Sequence, residues 1–146
     1  MSQSTNQTSV HPRKPGQPKP NRVILDYDFA RDGGALGDIA LTGDTVPTGA
    51  YITDAQILTV TPLTSGGAAT VAVTVEGAAD VNAADVLGGA PWSAAGVYLG
   101  DKFGAPDAGV LTTADRTPKI TIGVAGLTAG KFYLLLTYYI LGAEKD

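Results

Sequence analysis

Cysteine is absent from the chain, Met1 is its only methionine and His11 its only histidine. Without cysteine there is no disulfide framework, thiolate nucleophile or thiolate metal site, and redox conditions do not act on the chain through thiols. A single histidine so near the N-terminus leaves no Ser–His or Cys–His nucleophile system for a folded domain. Zinc and copper sites built on several imidazoles are excluded on the same ground. Charge is sparse too: Asp, Glu, Lys and Arg make up 16% of the 146 residues, against roughly 25% in ordinary soluble domains. A surface of small, weakly polar side chains suits a subunit packed among neighbours. No apolar run approaches the ~18 residues of a membrane span. The first twenty residues hold no hydrophobic region, so no secretory signal is expected there.

What charge there is lies unevenly. Residues 1–22 read MSQSTNQTSVHPRKPGQPKPNR and carry Arg13, Lys14, Lys19 and Arg22 with no Asp or Glu. The remainder then holds 6 basic and 14 acidic residues, a net −8 beneath the overall −4. Pro12, Pro15, Pro18 and Pro20 fix φ, remove backbone donors and push each preceding residue toward extended geometry. Such a segment builds no core and is expected to act as an extended tether. Residues 1–22 are therefore read as a basic arm whose Pro12, Arg13, Lys14, Pro15, Pro18, Lys19, Pro20 and Arg22 grip a partner, or else as a solubilising leader. Residues 23–146 are read as one domain. Its acidity argues against nucleic acid as a partner, because phosphate binding needs a basic face.

From Val23 onward the pattern has period two. Val23, Leu25, Tyr27 and Phe29 share a face opposite Ile24, Asp26 and Asp28. Val71, Val73 and Val75 alternate with Ala72 and Thr74, and Ile120, Ile122 and Val124 with Thr121 and Gly123. Tyr51–Thr61 is strand-like but its apolar residues change face partway, which predicts a bulge. Turns are expected at Asp32-Gly33-Gly34, Val46-Pro47-Thr48-Gly49, Ser65-Gly66-Gly67, Gly88-Gly89-Ala90-Pro91 and Ala129-Gly130. A short helix over Val81–Leu87, capped by Asp80, is one reading of that segment and an extended loop the other. Many short strands with Gly-rich turns make the fold class all-β, an antiparallel β-sandwich, jelly-roll-like, with an extended N-terminal arm.

The last strand is apolar on both sides. Phe132, Leu134, Leu136, Tyr138 and Ile140 take one face; Tyr133, Leu135, Tyr139 and Leu141 take the other. The outer face of a two-layer sandwich ordinarily meets water, so Tyr133, Leu135, Tyr139 and Leu141 are candidate subunit-interface residues. The alternative is cover from the chain's own segment Asn82–Leu111.

Little speaks for catalysis. Asp26 and Asp28 point the same way at about 7 Å, a spacing compatible with a carboxylate pair, but any solvated strand face produces it. A calcium site at Asp26, Asp28 or Asp32 would need six or more oxygens. The turn Asp32-Gly33-Gly34-Ala35-Leu36-Gly37 lacks the lysine and spacing of a phosphate loop. Trp92 is the sole tryptophan and is either a loop anchor on the core or an exposed contact for sugar or protein. No enzyme activity, metal or cofactor is expected.

Several stretches taken together carry a resemblance: Tyr27-Asp28-Phe29-Ala30-Arg31-Asp32-Gly33-Gly34, Thr64-Ser65-Gly66-Gly67-Ala68-Ala69-Thr70-Val71, Glu76-Gly77-Ala78-Ala79-Asp80-Val81, Gly89-Ala90-Pro91-Trp92-Ser93, and Leu127-Thr128-Ala129-Gly130-Lys131-Phe132 with the strand after it. The chain resembles small virion proteins of tailed bacteriophages of the capsid decoration (cement) type. That resemblance covers most of residues 23–141 and leaves the arm out. It implies a homotrimeric β-sandwich on the outer capsid surface, made in the host cytoplasm, bound across major capsid protein subunits, with neither membrane nor nucleic acid as partner. A tail, neck or head-fibre protein, or a carbohydrate-binding or adhesin module, are the alternatives.

Overall fold

Alternation of apolar and polar residues builds strands that each own one buried face, and two sheets close over one core. The computed structural model describes residues 19–104 and 108–140. Of the candidate residues, Pro12, Arg13, Lys14, Pro15, Pro18 and Leu141 therefore lie outside the described residues. In chain order the elements are β1 (Pro20–Asp28), the one-turn α1 (Phe29–Asp32), β2 (Gly37–Ala40), β3 (Ala50–Ser65), β4 (Thr70–Thr74) and β5 (Asn82–Val86). They continue with β6 (Gly96–Leu99), β7 (Val110–Leu111), β8 (Lys119–Gly123) and β9 (Leu127–Ile140).

One sheet has the order β1-β9-β3-β6, with β7 on the end of β3; the other runs β2-β8-β4-β5. The pairings β1·β9, β2·β8, β3·β6 and β4·β5 are all antiparallel. They describe one long hairpin wrapped around itself, and the β9·β3 and β8·β4 seams close the two sheets. That is the jelly-roll arrangement, and the expected sandwich class holds in this form.

The core lies between the sheets. Val23, Leu25 and Tyr27 of β1, Ile52, Ala55 and Ile57 of β3, Val71 and Val73 of β4, Ile120 and Ile122 of β8, and Phe132, Leu134 and Leu136 of β9 are all buried. Each large aliphatic or aromatic side chain among them contributes up to about 1.5–3 kcal/mol by leaving water. Trp92 packs against Phe132 with ring centroids 5.0 Å apart and planes tilted by 55°, and the Phe132 ring lies 5.9 Å from that of Tyr27. The loop that delivers Trp92 is pinned to β3: the Leu63 N–H donates to the Trp92 carbonyl at 3.0 Å and the Thr59 hydroxyl to the Pro91 carbonyl at 2.8 Å.

Bulges interrupt the β3·β9 ladder between Ile52 and Asp54 and between Thr59 and Thr61, where the apolar pattern changes face. Other expectations are corrected. Residues 82–86 form strand β5, not a helix, because the Asp80 carboxylate closes a turn. It accepts the backbone N–H groups of Val75, Glu76 and Gly77 at 2.7–2.9 Å, leaving the next residues to pair with β4. Ala129-Gly130 is no turn; β9 runs straight through it. Gly130 sits at φ +142, and a Cβ there would approach Leu63 Cγ to 2.7 Å, so glycine is required for close strand packing.

Val124 is 72% exposed, because β8 ends at Gly123 and the chain turns with φ +71 at Val124. Phe29 leaves the β1 face to open α1, capped by the Asp28 carboxylate on the Ala30 N–H at 3.0 Å and closed by Gly33 at φ +75. The paired region begins at Pro20, so Pro20 and Arg22 belong to β1.

Candidate docking surface

Because β9 lies between β1 and β3, its outward residues form the middle column of a continuous surface. The register sets four rows across it. Pro20, Tyr139, Tyr51 and Leu111 form the first, and Arg22, Thr137 and Asp54 the second. Ile24, Leu135, Gln56 and Leu99 form the third, and Asp26, Tyr133, Leu58 and Val97 the fourth. Ile24 is 59% exposed, Leu99 48%, Leu111 54% and Val97 65%. Tyr133, Leu135 and Tyr139 are half-buried by their neighbours. A concavity of about 330 Å³ opens between Arg22, Ile24, Asp54, Gln56, Leu135 and Thr137. Exposed apolar side chains clustered on one sheet make this face the candidate docking surface.

Segment Asn82–Leu111 does not cover this face among the described residues. It adds β6 and β7 at the far side of β3 and so extends the face. Ile24, Leu58, Val97, Leu99 and Leu111 are the members that sequence reasoning missed. Ile24 carried a local signal, an aliphatic residue on the polar side of an alternating strand. The others become neighbours only through pairing across 39 residues or more.

The opposite face, outside the β2-β8-β4-β5 sheet, carries paired ions, with Val86 as an exposed aliphatic residue at its β5 edge. Arg116 Nε meets Glu76 Oε1 at 2.7 Å and Lys119 Nζ meets Asp38 Oδ2 at 2.7 Å. Thr121 and Thr113 donate their hydroxyls to Asp38 and Glu76 at 2.6 Å. The Arg116 guanidinium first, and the Thr113 hydroxyl next, hold the Glu76 carboxyl down from 4.5 to about 2. Lys119 and Thr121 lower Asp38 in the same way. A groove of about 510 Å³ runs between these groups; Asp115, which also lines it, stands outside these ion pairs and accepts the Thr48 N–H at 2.9 Å.

Trp92 has no exposed surface; it is the loop anchor, and stacking on a sugar from outside is closed to it. Its indole N–H has no acceptor among the described residues. Asp26 and Asp28 share a face but do separate structural work: Asp26 pairs with Arg31 at 2.9 Å, and Asp28 caps α1. Asp32 pairs with Arg31 at 2.8 Å and accepts the Asp28 N–H at 3.0 Å, so the arginine holds its carboxyl below the usual range. Tyr27, pushed up to about 12 by burial and then by Asp32 and Asp28, donates its hydroxyl to the Gly33 carbonyl at 2.6 Å. These groups lock the β1–α1 corner. Among the described residues no three His, Cys, Asp or Glu side chains gather as a metal cluster. Of the arm candidates, Lys19, Pro20 and Arg22 are described; all three are exposed, and Pro20 and Arg22 border the apolar face.

No protein family and no curated protein matches the sequence. Solved structures do share the fold. A chain of the cyanophage Pam1 capsid asymmetric unit superposes with a TM-score of 0.56 at 16% identity, covering 94% of this chain and 98% of that one. A chain from the acidic stable capsid structure of Helicobacter pylori bacteriophage KHP30 gives a TM-score of 0.56 at 13% identity, with 82% and 86% covered. At these identities the likeness is one of fold.

Proposed function

We propose that this chain is a structural subunit of a tailed-phage virion, one that decorates the outer capsid surface and stabilises it by binding across major capsid protein subunits. The observation that carries this reading is the match of the jelly roll to a chain of a phage capsid over 94% of this chain and 98% of that one. An outer sheet face rich in exposed aliphatic and tyrosine side chains supports it, since a subunit needs such a surface and an isolated domain does not. Cement of this kind acts by mass action: it stabilises the assembled shell to the extent that it binds that state and not free subunits. Several basic arms on one oligomer add avidity beyond any single contact.

A tail, neck or head-fibre subunit would draw on the same fold, and capsid binding separates the two. The full chain is mixed with empty capsids assembled from the major capsid protein of its own phage, and sedimented. Saturable co-sedimentation is expected, together with a raised temperature of capsid disruption. A chain that stays in the supernatant overturns the decoration role. Deleting residues 1–18, which leaves β1 whole, is expected to keep the melting temperature and weaken capsid binding at least tenfold, about 1.4 kcal/mol.

A further inference from the structure

We propose that the outer face of strands β1, β9 and β3 is covered by a second copy of this chain, packed face to face about a two-fold axis that runs along β9. This pairing needs no capsid and stands or falls independently of the decoration role.

The axis lays β9 over β9 and β1 over β3, with β6 and β7 beyond the partner's β1 edge. Three strands about 4.8 Å apart, presenting side chains over some 25 Å of their length, make a face of roughly 360 Å². A pair then buries on the order of 700 Å², the size of a weak, reversible contact. The apolar rows supply the attraction: Ile24 and Leu135 in one, Tyr133 and Leu58 in the next.

Charge sets the symmetry. Between the apolar rows lies the row Arg22, Thr137, Asp54. Arg22 and Asp54 flank the same concavity, and neither has an ionic partner among the described residues. They sit at one level along the strands, on either side of β9, two strand spacings or roughly 10 Å apart. Rotation by half a turn about an axis along β9 exchanges those two positions. Arg22 of one copy then lies over Asp54 of the other, and the contact occurs twice per pair, as a self-complementary patch requires. Leu135 falls on its own counterpart near the axis, and Pro20 lies over Tyr51. The ions on the β2-β8-β4-β5 face, being mutually paired, offer no such complementarity.

Sedimentation equilibrium of the full chain, with Arg22→Asp, Asp54→Arg and the double reversal, tests this. The unaltered chain is expected to form dimers reversibly between about 0.1 and 1 mM, as a contact of this size allows. Each single reversal sets like charges together and is expected to weaken dimerisation at least tenfold. The double reversal restores it, and so does mixing the two single variants, because each new charge then faces its opposite. Thermal unfolding of the single variants checks that the fold survives, as both positions lie outside the core. A monomer at all concentrations, a trimer, or a mixture that associates no better than either single variant overturns the two-fold pairing. Capsid co-sedimentation by a chain that proves monomeric would overturn the pairing alone and leave the decoration role standing.

Discussion

On the outer face of the β2-β8-β4-β5 sheet, Lys119 answers Asp38 and Arg116 answers Glu76, with two threonine hydroxyls completing the carboxylates. On the outer face of the β1-β9-β3-β6 sheet, Ile24, Leu99, Val97 and Leu111 stand exposed around β9, and Arg22 and Asp54 find no ionic partner among the described residues. Both faces belong to twisted antiparallel sheets over the same core, so backbone geometry does not distinguish them. The difference lies in where interaction potential has been satisfied. A face whose ions neutralise each other is finished in water, while one that leaves apolar area and single charges in the open gains free energy only when another surface arrives.

The comparison can first be broken from beneath. Trp92 packs on Phe132 of β9 within the single core that both sheets share, so Trp92→Ala is expected to cost about 3–5 kcal/mol of stability and to abolish both faces in one urea transition. Trp92→Phe is expected to lose much less, because the indole N–H has no acceptor among the described residues to forfeit. A tryptophan loss that left the fold intact would mean that the loop is not the anchor described above.

The next effect belongs to the apolar face alone. Leu135→Asp combined with Tyr139→Asp is expected to weaken self-association by a factor on the order of 100 or more, read by light scattering, while the monomer keeps its far-ultraviolet dichroism. Outright unfolding of that variant would assign these side chains to the core and erase the distinction between the faces.

The smallest effect belongs to the polar face. Glu76, at about 2 when folded against an ordinary 4.5, stabilises the native state fully above pH 4.5, and that contribution fades as pH falls toward 2. Arg116→Ala is therefore expected to lower the urea midpoint modestly at pH 7 and to differ progressively less from the unaltered chain as pH falls below 4.5. Self-association at pH 7 should not change. An Arg116 variant that dissociates the oligomer would place an interface on the wrong face.

Local alternation was enough to read the strands around Val23, Val71, Ile120 and Phe132, and hence the sandwich. It was also enough to mark Tyr133, Leu135 and Tyr139 as too apolar for an outer face. It could not reveal that Val97, Leu99 and Leu111 join them, because β6 and β7 meet β3 only through long-range pairing. Gly130 looked like a turn because glycine marks turns and close strand approaches alike, and only the nearness of Leu63 separates the two. Asp80 looked like a helix cap because the same carboxylate geometry closes a tight turn. The ion pairs Arg116–Glu76 and Lys119–Asp38 span 40 and 81 residues, beyond any pattern of neighbours along the chain.

Hydroxyl-radical footprinting of the full chain across a dilution series tests most directly whether the two faces have different destinies. Labelling of Ile24, Leu58, Tyr133 and Leu135 is predicted to rise together as the protein is diluted, while Val124, exposed in the turn after β8, is labelled equally at every concentration. Labelling of the first group that is as high in concentrated as in dilute solution would contradict the assignment of this sheet face as a subunit interface.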